Sequence, residues 1–294
     1  MDKQEWNAII SEKLKEGISI DDLKHEYATG ISIEPNVMGS DLEAYDHDIV
    51  VNQPWINMAR IKGGNSNEKN SLALQALQHG ANGLSIEIAP QDSIEVILKD
   101  ILTSYLDVRI ECNQLSMEEI AAQKNRVSNV DYPNVRWISE NGGCQEIQIS
   151  ENDRIDSVKS GLKNIDPQSS TDIVITLSKN ILFEIASLRA VRALMDEKST
   201  ASYRIICKYE VEGTNELGDY NLIEKTYKVM SAILGGANAV LTPYQGDEDS
   251  RLTLNIHNVL ELESGMKSVM DPLGGAFYIE KLTGEIIRQV KSDS

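Results

Sequence analysis

Four glutamates lie at or near the ends of predicted strands, where paired carboxylates could carry out acid–base chemistry. In a barrel of parallel strands the carboxyl ends of the strands face the active site, and two carboxylates there can cleave a glycosidic bond. The chain contains 46 acidic residues, so some must fall at strand ends whatever the function. We therefore interpret these four glutamates as ordinary polar side chains. They are Glu87, Glu111, Glu140 and Glu210.

The histidines, His25, His47, His79 and His257, are far apart and show no metal-ligand spacing. We expect surface or helix-capping roles for His25, His79 and His257. The sequence contains no Gly-x-Ser-x-Gly nucleophile motif, and no Cys/His pair is evident. The residue types therefore assign no catalytic, cofactor-binding or metal-binding residue.

Two arginines, Arg189 and Arg192, share one predicted helix. A guanidinium group can pair with an acidic neighbour or bind the phosphates of a ligand. Because most exposed arginines contribute little, we favour a solvated polar stripe for both residues.

The elements that would position these groups alternate along most of the chain. Helical patterns separate most of the strands, although no helix fits between the fourth and fifth. The alternation favours parallel strands and a (β/α)8 barrel, with an open doubly wound sheet as the alternative. The predicted strands are 55–61, 84–88, 107–112, 135–138, 145–149, 172–177, 203–211 and 239–242.

Two helix starts carry capping signals. Ser66 or Asn67 is expected to cap the helix that follows the first strand. The pattern Ser116-x-x-Glu119 resembles a capping box.

The sequence divides into an N-terminal arm, residues 1–52, and a barrel domain, residues 53–294. In the arm, a second short helix is predicted to end at Tyr27, and an irregular acidic stretch follows. The arm is suited to contacts with a partner subunit, or it packs on the surface of its own domain. In the barrel domain, apolar residues 259–262 mark the last large helix, ahead of a C-terminal segment from Phe277.

Composition excludes several classes of function. The net charge is −18, from 28 basic and 46 acidic residues, and the basic residues are scattered, so nucleic acid and anionic membranes are not expected partners. No apolar run approaches about 20 residues, the length that spans a membrane. The cysteines, Cys112, Cys144 and Cys207, are far apart and odd in number, which argues against disulfides and favours the cytoplasm.

Several stretches resemble the methylmalonyl-CoA mutase family near the end of its barrel domain. The resemblance implies a (β/α)8 TIM-type barrel around an acyl-CoA substrate. It also implies an isomerase in which adenosylcobalamin supplies a radical while the protein places the substrate and excludes water. The matching stretches are Leu234-Gly235-Gly236 with Thr242, Glu263-Ser264-Gly265, Asp271-Pro272-x-Gly274-Gly275-Ala276-Phe277, and the helix from Phe183 to Arg192.

The features that carry the family's chemistry are missing. No histidine has the Asp-x-His-x-x-Gly context that binds cobalamin, and about 20 residues follow Asp271-Pro272, too few for a further domain. The family's Arg-Gly-Pro-Tyr loop corresponds to the acidic segment 46–52, where Tyr45 has no matching context. Asn141 or Glu151 stands near the position of a substrate-binding histidine.

Four further positions lose polar groups relative to the family. Ile206 and Lys208 stand where the family has His and Gln, and Leu241 and Pro243 stand where it has His and Asn. A site built on hydrogen bonds is costly to leave half-made. Several losses together indicate that the pocket no longer performs mutase chemistry.

The resemblance therefore implies the small, non-catalytic subunit of a mutase heterodimer, or a degenerate homologue. We expect this chain to bind no cofactor itself, with adenosylcobalamin on a partner chain. The expected partner is a large catalytic mutase subunit, or a second copy in a homodimer, and an acyl-CoA is a candidate ligand. The alternatives are an active acyl-CoA isomerase whose cobalamin domain sits on a separate chain, and an unrelated barrel hydrolase.

Overall fold

The computed structural model describes residues 2–42, 55–127, 134–139, 145–198, 201–209 and 218–292. Several predictions lie outside these ranges: Tyr45, His47, the segment 46–52, the domain boundary after residue 52, Glu140, Asn141, Cys144 and Glu210.

Strands and helices alternate from β3 onward, after an N-terminal hairpin. The strands are β1 His25–Ala28, β2 Ile31–Ile33, β3 Ile56–Ile61, β4 Gly83–Glu87, β5 Asp107–Glu111, β6 Val135–Ile138, β7 Gln145–Ile149, β8 Thr171–Thr176, β9 Tyr203–Lys208 and β10 Ala239–Pro243. The helices are α1 Lys3–Lys13, α2 Ser66–Gln78, α3 Ile94–Ile97, α4 Met117–Val127, α5 Arg154–Lys163, α6 Ile181–Lys198, α7 Gly218–Leu234, α8 Glu248–Asn258 and α9 Phe277–Ser292.

The eight strands β3 to β10 form one parallel sheet that curls into a nearly closed barrel, so the predicted (β/α)8 architecture is confirmed. The strand order is β6-β5-β4-β3-β10-β9-β8-β7. Only residues 139–144 separate β6 from β7, too few for a crossover helix. The two strands without a helix between them are therefore the two ends of the sheet, and no ladder joins them in the described residues.

Alternation along each strand sorts side chains between the helices and the barrel interior. In β5, Val108 and Ile110 join the outer apolar core under the helices. The intervening Asp107, Arg109 and Glu111 point to the other face, the barrel interior. The strand thus buries apolar groups on one side and charged groups on the other.

Both predicted helix starts are capped, one of them by a different residue. Asn65, and not Ser66 or Asn67, is the N-cap of α2, because its side chain accepts hydrogen bonds from the backbone N–H groups of Asn67 and Glu68. The capping box before α4 is confirmed, since Ser116 and Glu119 bond reciprocally.

The prediction of a second arm helix reaching Tyr27 is wrong. A short 3-10 turn ends at Leu23, and β1 then pairs antiparallel with β2. The cause is the alternation in β2, where Ile31 and Ile33 are buried against α9 and Ser32 is exposed. This part of the arm packs on its own chain.

The prediction for the last large helix is also wrong. Residues 259–263 form only a π-helical turn at the end of α8, and the segment from Phe277 is itself the helix α9. Apolar residues at helical spacing bury one face of α9, including Ile279, Leu282 and Ile286. Among the described residues, no helix is long and apolar enough to cross a membrane.

Candidate functional site in the barrel interior

Charged side chains from strands β5, β7, β8 and β9 meet inside the barrel, around Asp172 of β8. Its carboxylate accepts two hydrogen bonds from Arg204 of β9, with both N–O distances 2.9 Å. Arg204 also donates to Asp107 of β5, with its Nη1 2.6 Å from Oδ2. Arg109 of β5 approaches Asp172 with its Nε 3.6 Å from Oδ2, and pairs with Glu146 of β7. We call Asp107, Arg109, Glu146, Asp172 and Arg204 the interior charge cluster.

A second ion pair lies above this cluster, toward the carboxyl ends of the strands. Arg60 of β3 donates from Nε and Nη2 to the two carboxylate oxygens of Glu111, at 3.2 and 2.8 Å. The Ser85 hydroxyl donates to the same carboxylate at 2.6 Å. Burial raises the pKa of Glu111, but the hydrogen bonds and charge of Arg60 outweigh it, so the pKa lies below its usual value. Glu111 is therefore an ionised, fully engaged carboxylate and is not a proton donor.

The environment of the interior arginines is set by burial and opposing charges. Burial lowers the pKa of Arg109, and the nearby carboxylates of Glu111 and Asp172 oppose this effect. For Arg204, burial is outweighed by the hydrogen bonds and charges of Asp172 and Asp107, which raise the pKa above its ordinary value. Both guanidinium groups remain charged.

The rest of the interior is filled by apolar side chains. Met58, Val174, Ile206, Ala239 and Leu241 form one buried cluster from strands β3, β8, β9 and β10. Among the described residues, the interior thus contains ion pairs in one part and hydrocarbon in another.

Among the described residues, two depressions lie at the mouth of the barrel. One of about 210 Å³ is lined by Arg60, Lys62, Lys208, Leu241 and Pro243, with Tyr209, Tyr244 and Gln245. The Lys208 ammonium donates to Gln148 at 2.8 Å. Pockets for small-molecule ligands measure about 300–1,000 Å³, so this depression is small for a ligand. The second depression, of about 330 Å³ beside Tyr209, Lys225 and Pro243, lies at the lower end of that range.

The structure brings together the four positions that differ from the family. Ile206 and Leu241 are buried in the interior, while Lys208 and Pro243 lie at the mouth. Glu151 lies elsewhere, exposed before α5 and close to Tyr27 of the arm. Glu87 accepts a hydrogen bond from Gln114 on the rim of the barrel.

Two of the three histidine predictions hold. His25 is exposed in the arm hairpin, and His79 is the C-cap residue of α2. The prediction for His257 is wrong, because this ring is buried and bonded at both nitrogens. Trp55 donates to its Nδ1 at 3.2 Å, so Nε2 carries the proton and donates to the Thr242 hydroxyl at 3.2 Å.

The solvated stripe predicted for Arg189 and Arg192 is also wrong. Arg189 is 2% exposed and binds Asp271 and Glu280, with N–O distances of 2.6 and 2.9 Å. Arg192 is buried and donates to the Gly236 carbonyl. The alternative of an acidic neighbour therefore holds for Arg189, whose partners are Asp271 and Glu280.

The described ranges contain candidate metal ligands, among them three histidines with different surroundings. No group of three or more His, Cys, Asp or Glu side chains there could hold a metal ion. Both nitrogens of His257 are engaged, the Nδ1 of His79 bonds Tyr244 at 2.8 Å, and His25 lies on the arm.

The interior charge cluster is the feature that the sequence analysis missed. Its signal is the alternation of Asp107, Arg109 and Glu111 with apolar residues on β5. The charges on β8 and β9, Asp172 and Arg204, stand at register-paired positions. Read together, these patterns indicate charges on the interior face of the strands.

Fold and site define a (β/α)8 barrel protein with a filled interior. A family model described as Methylmalonyl-CoA mutase matches residues 169–293, which include β8, β9, β10 and most of the motifs above. Through this segment, which is less than half of its length, the chain is similar to the methylmalonyl-CoA mutase family.

Curated relatives agree with this assignment. Methylmalonyl-CoA mutase of Rhizobium meliloti (strain 1021) is 31% identical over 127 residues, which cover 37% of this chain and 18% of the relative. That of Escherichia coli (strain K12) is 27% identical over 170 residues, covering 50% and 24%. The 2-hydroxyisobutanoyl-CoA mutase large subunit of Aquincola tertiaricarbonis is 32% identical over 77 residues, covering 24% and 14%. The matches thus span a quarter or less of the length of each relative.

Proposed function

We propose that this chain is a non-catalytic companion of a cobalamin-dependent acyl-CoA mutase, comparable to the small subunit of a mutase heterodimer. The observation that carries the proposal is the filled barrel interior. The resemblance implies that in the methylmalonyl-CoA mutase family this interior space surrounds the acyl-CoA substrate.

Clearing the interior for a substrate would be costly. Asp172 is fully buried and Arg109 is 1% exposed, so moving either side chain alone would strand a buried opposite charge. Breaking a buried ion pair in that way costs about 3–5 kcal/mol. An acyl chain would have to offset this cost and also displace Met58 and Leu241 from the apolar part of the interior.

A companion role accounts for a preserved scaffold without a working pocket. Ile206 and Leu241 stand where the family has polar groups, and they complete the apolar filling. These two apolar side chains therefore stabilise the barrel instead of contacting a ligand. The name of the Aquincola tertiaricarbonis relative, a large subunit, supports the idea that mutases of this family include multichain enzymes.

The proposal is tested by titrating the purified chain with CoA, methylmalonyl-CoA and adenosylcobalamin in a calorimeter. We expect no heat of binding from any of them. The chain should instead form a complex with a cobalamin-binding mutase homologue from the same organism.

A turnover assay of that complex separates the alternative function, an active isomerase with its cobalamin domain on a separate chain. Lys208→Ala in this chain should leave turnover unchanged, because Lys208 lies at a mouth that takes no part in the reaction. Loss of turnover with assembly intact would instead assign catalysis to this barrel and overturn the proposal.

A further inference from the structure

Five large apolar side chains lie exposed between the end of α8 and the start of α9. Their fractional exposures run from 48% for Phe277 to 75% for Leu262. The turn 259–263 carries Val259 and Leu262, and the turn 266–268 precedes Val269. These two turns pack against each other. We call this surface the C-terminal apolar patch, and it consists of Val259, Leu262, Val269, Met270 and Phe277.

The buried Arg189 anchors the turn that joins Met270 to Phe277. Asp271, next to Met270, has a left-handed φ of 40°, which is unusual for a residue other than glycine. Arg189 holds the Asp271 carboxylate and the Glu280 carboxylate together, and Glu280 also accepts the Gly275 N–H at 3.0 Å. Backbone strain of this kind persists only where the surroundings fix it.

A fixed apolar surface loses little conformational entropy when it binds a partner. Exposed apolar patches with a polar rim mark protein–protein contacts. Both properties point to docking of a macromolecule.

Charge selects the kind of partner. The chain carries a net charge of −18. Glu263 is exposed at the edge of the patch, while Lys267 is paired with Glu261. A second copy would bring the same negative charge to the contact, and like charges facing each other oppose association. A surface with an apolar centre and a basic rim fits better.

We propose that the C-terminal apolar patch docks the companion mutase chain through such a basic-rimmed surface. This inference rests on the proposed function, and it adds where the complex forms.

The test uses the purified full chain and the cobalamin-binding mutase homologue, with affinity measured by calorimetry. The double variant Leu262→Ser/Met270→Ser should weaken binding at least about 10-fold, because buried apolar anchors dominate interface energies. The control Leu102→Ser/Tyr105→Ser changes two side chains that are 70% and 83% exposed elsewhere. It should leave the affinity unchanged.

A single charge reversal, Glu263→Lys, provides a second probe that leaves the apolar surface intact. It should weaken binding several-fold at low ionic strength and have less effect in high salt, because salt screens exposed charges. Circular dichroism of each variant checks that the fold is retained.

The outcomes separate the two proposals. Wild-type binding that the patch variants leave unchanged would overturn this inference and leave the proposed function standing. Absence of any complex with the wild-type chain would overturn both. Self-association of this chain that is lost in the patch variant would assign the surface to a second copy and overturn the inference.

Discussion

The Arg189 guanidinium on α6 lies 2.6 Å from the Asp271 carboxylate, which belongs to the Asp-Pro-Leu-Gly-Gly turn before α9. The same guanidinium reaches Glu280 in the first turn of α9 at 2.9 Å. One buried cation therefore ties the Asp-Pro-Leu-Gly-Gly turn and the first turn of α9 to α6, the helix that carries another of the matching stretches.

Arg189→Met tests this connection. The substitution leaves two carboxylates without their counter-charge, so we expect the free energy of unfolding to fall by about 3–5 kcal/mol. Urea denaturation at pH 7.5 measures the change. The control Arg251→Met removes an exposed pair with Glu248 and should hardly move the midpoint. A midpoint for Arg189→Met that matches the control would contradict a structural role for the clamp.

The interior charge cluster is tested by a double-mutant cycle on Asp172 and Arg204. Each single change, Asp172→Leu or Arg204→Met, should destabilise the fold by about 3–5 kcal/mol because it removes the partner that makes two hydrogen bonds with a buried charge. The double variant should be more stable than the less stable single variant, since replacement of a buried pair by apolar groups is often neutral. Strict additivity in urea denaturation would show that the two groups do not interact.

The buried His257 predicts a pH dependence of stability. Burial lowers the pKa of this ring to about 3 in the folded protein. An unfolded chain binds the proton near pH 6.5. Between these values the unfolded state binds more protons, so stability is complete above about pH 6.5 and falls as the pH drops, by at most about 1.4 kcal/mol per pH unit.

The measurement compares His257→Gln with wild type by urea denaturation at several values between pH 7.5 and pH 5. The difference in stability between the two proteins should shrink as the pH falls. A difference that stays constant over this range would show that the ring does not titrate on unfolding.

The paired glycines after α7 have different roles, which substitution can separate. Gly236 has a left-handed φ of 85°, so Gly236→Ala should cost about 1–2 kcal/mol through backbone strain. At Gly235, an added Cβ would lie 2.5 Å from Cδ1 and 2.8 Å from Cβ of Leu188 on α6. Gly235→Ala should therefore cost about 1–3 kcal/mol by overpacking.

Thermal unfolding of Gly235→Ala in a Leu188→Val background checks this assignment. The smaller side chain on α6 should relieve part of the cost at Gly235 and none of the cost at Gly236. Equal relief at both positions would contradict the separation.

Local patterns predicted the barrel well because its strands and helices are encoded by nearby residues. Apolar runs such as the one in β8 identify strands, and Ser116 with Glu119 identifies a helix start. The C-terminal helix α9 was not predicted, although its apolar residues Ile279, Leu282 and Ile286 lie at helical spacing.

The site could not be predicted in the same way, because its contacts join distant parts of the chain. The partner of Arg189 lies 82 residues away, and Trp55 lies 202 residues from His257. A helix face carrying two arginines looks solvated until the acidic partners are placed against it. For Arg109, one of the carboxylates that balance its charge, Glu111, lies on the same strand, while the others come from β7 and β8, which only the curvature of the sheet brings close.

The ion-paired interior limits how this sequence can diverge. A change at Asp172 that keeps Arg204 leaves that buried guanidinium with Asp107 alone to balance it, so a neutral replacement at one position favours a matching replacement at the other. Homologues that retain the filled barrel should consequently show coordinated exchange at these two positions, while the apolar part drifts among side chains of similar volume.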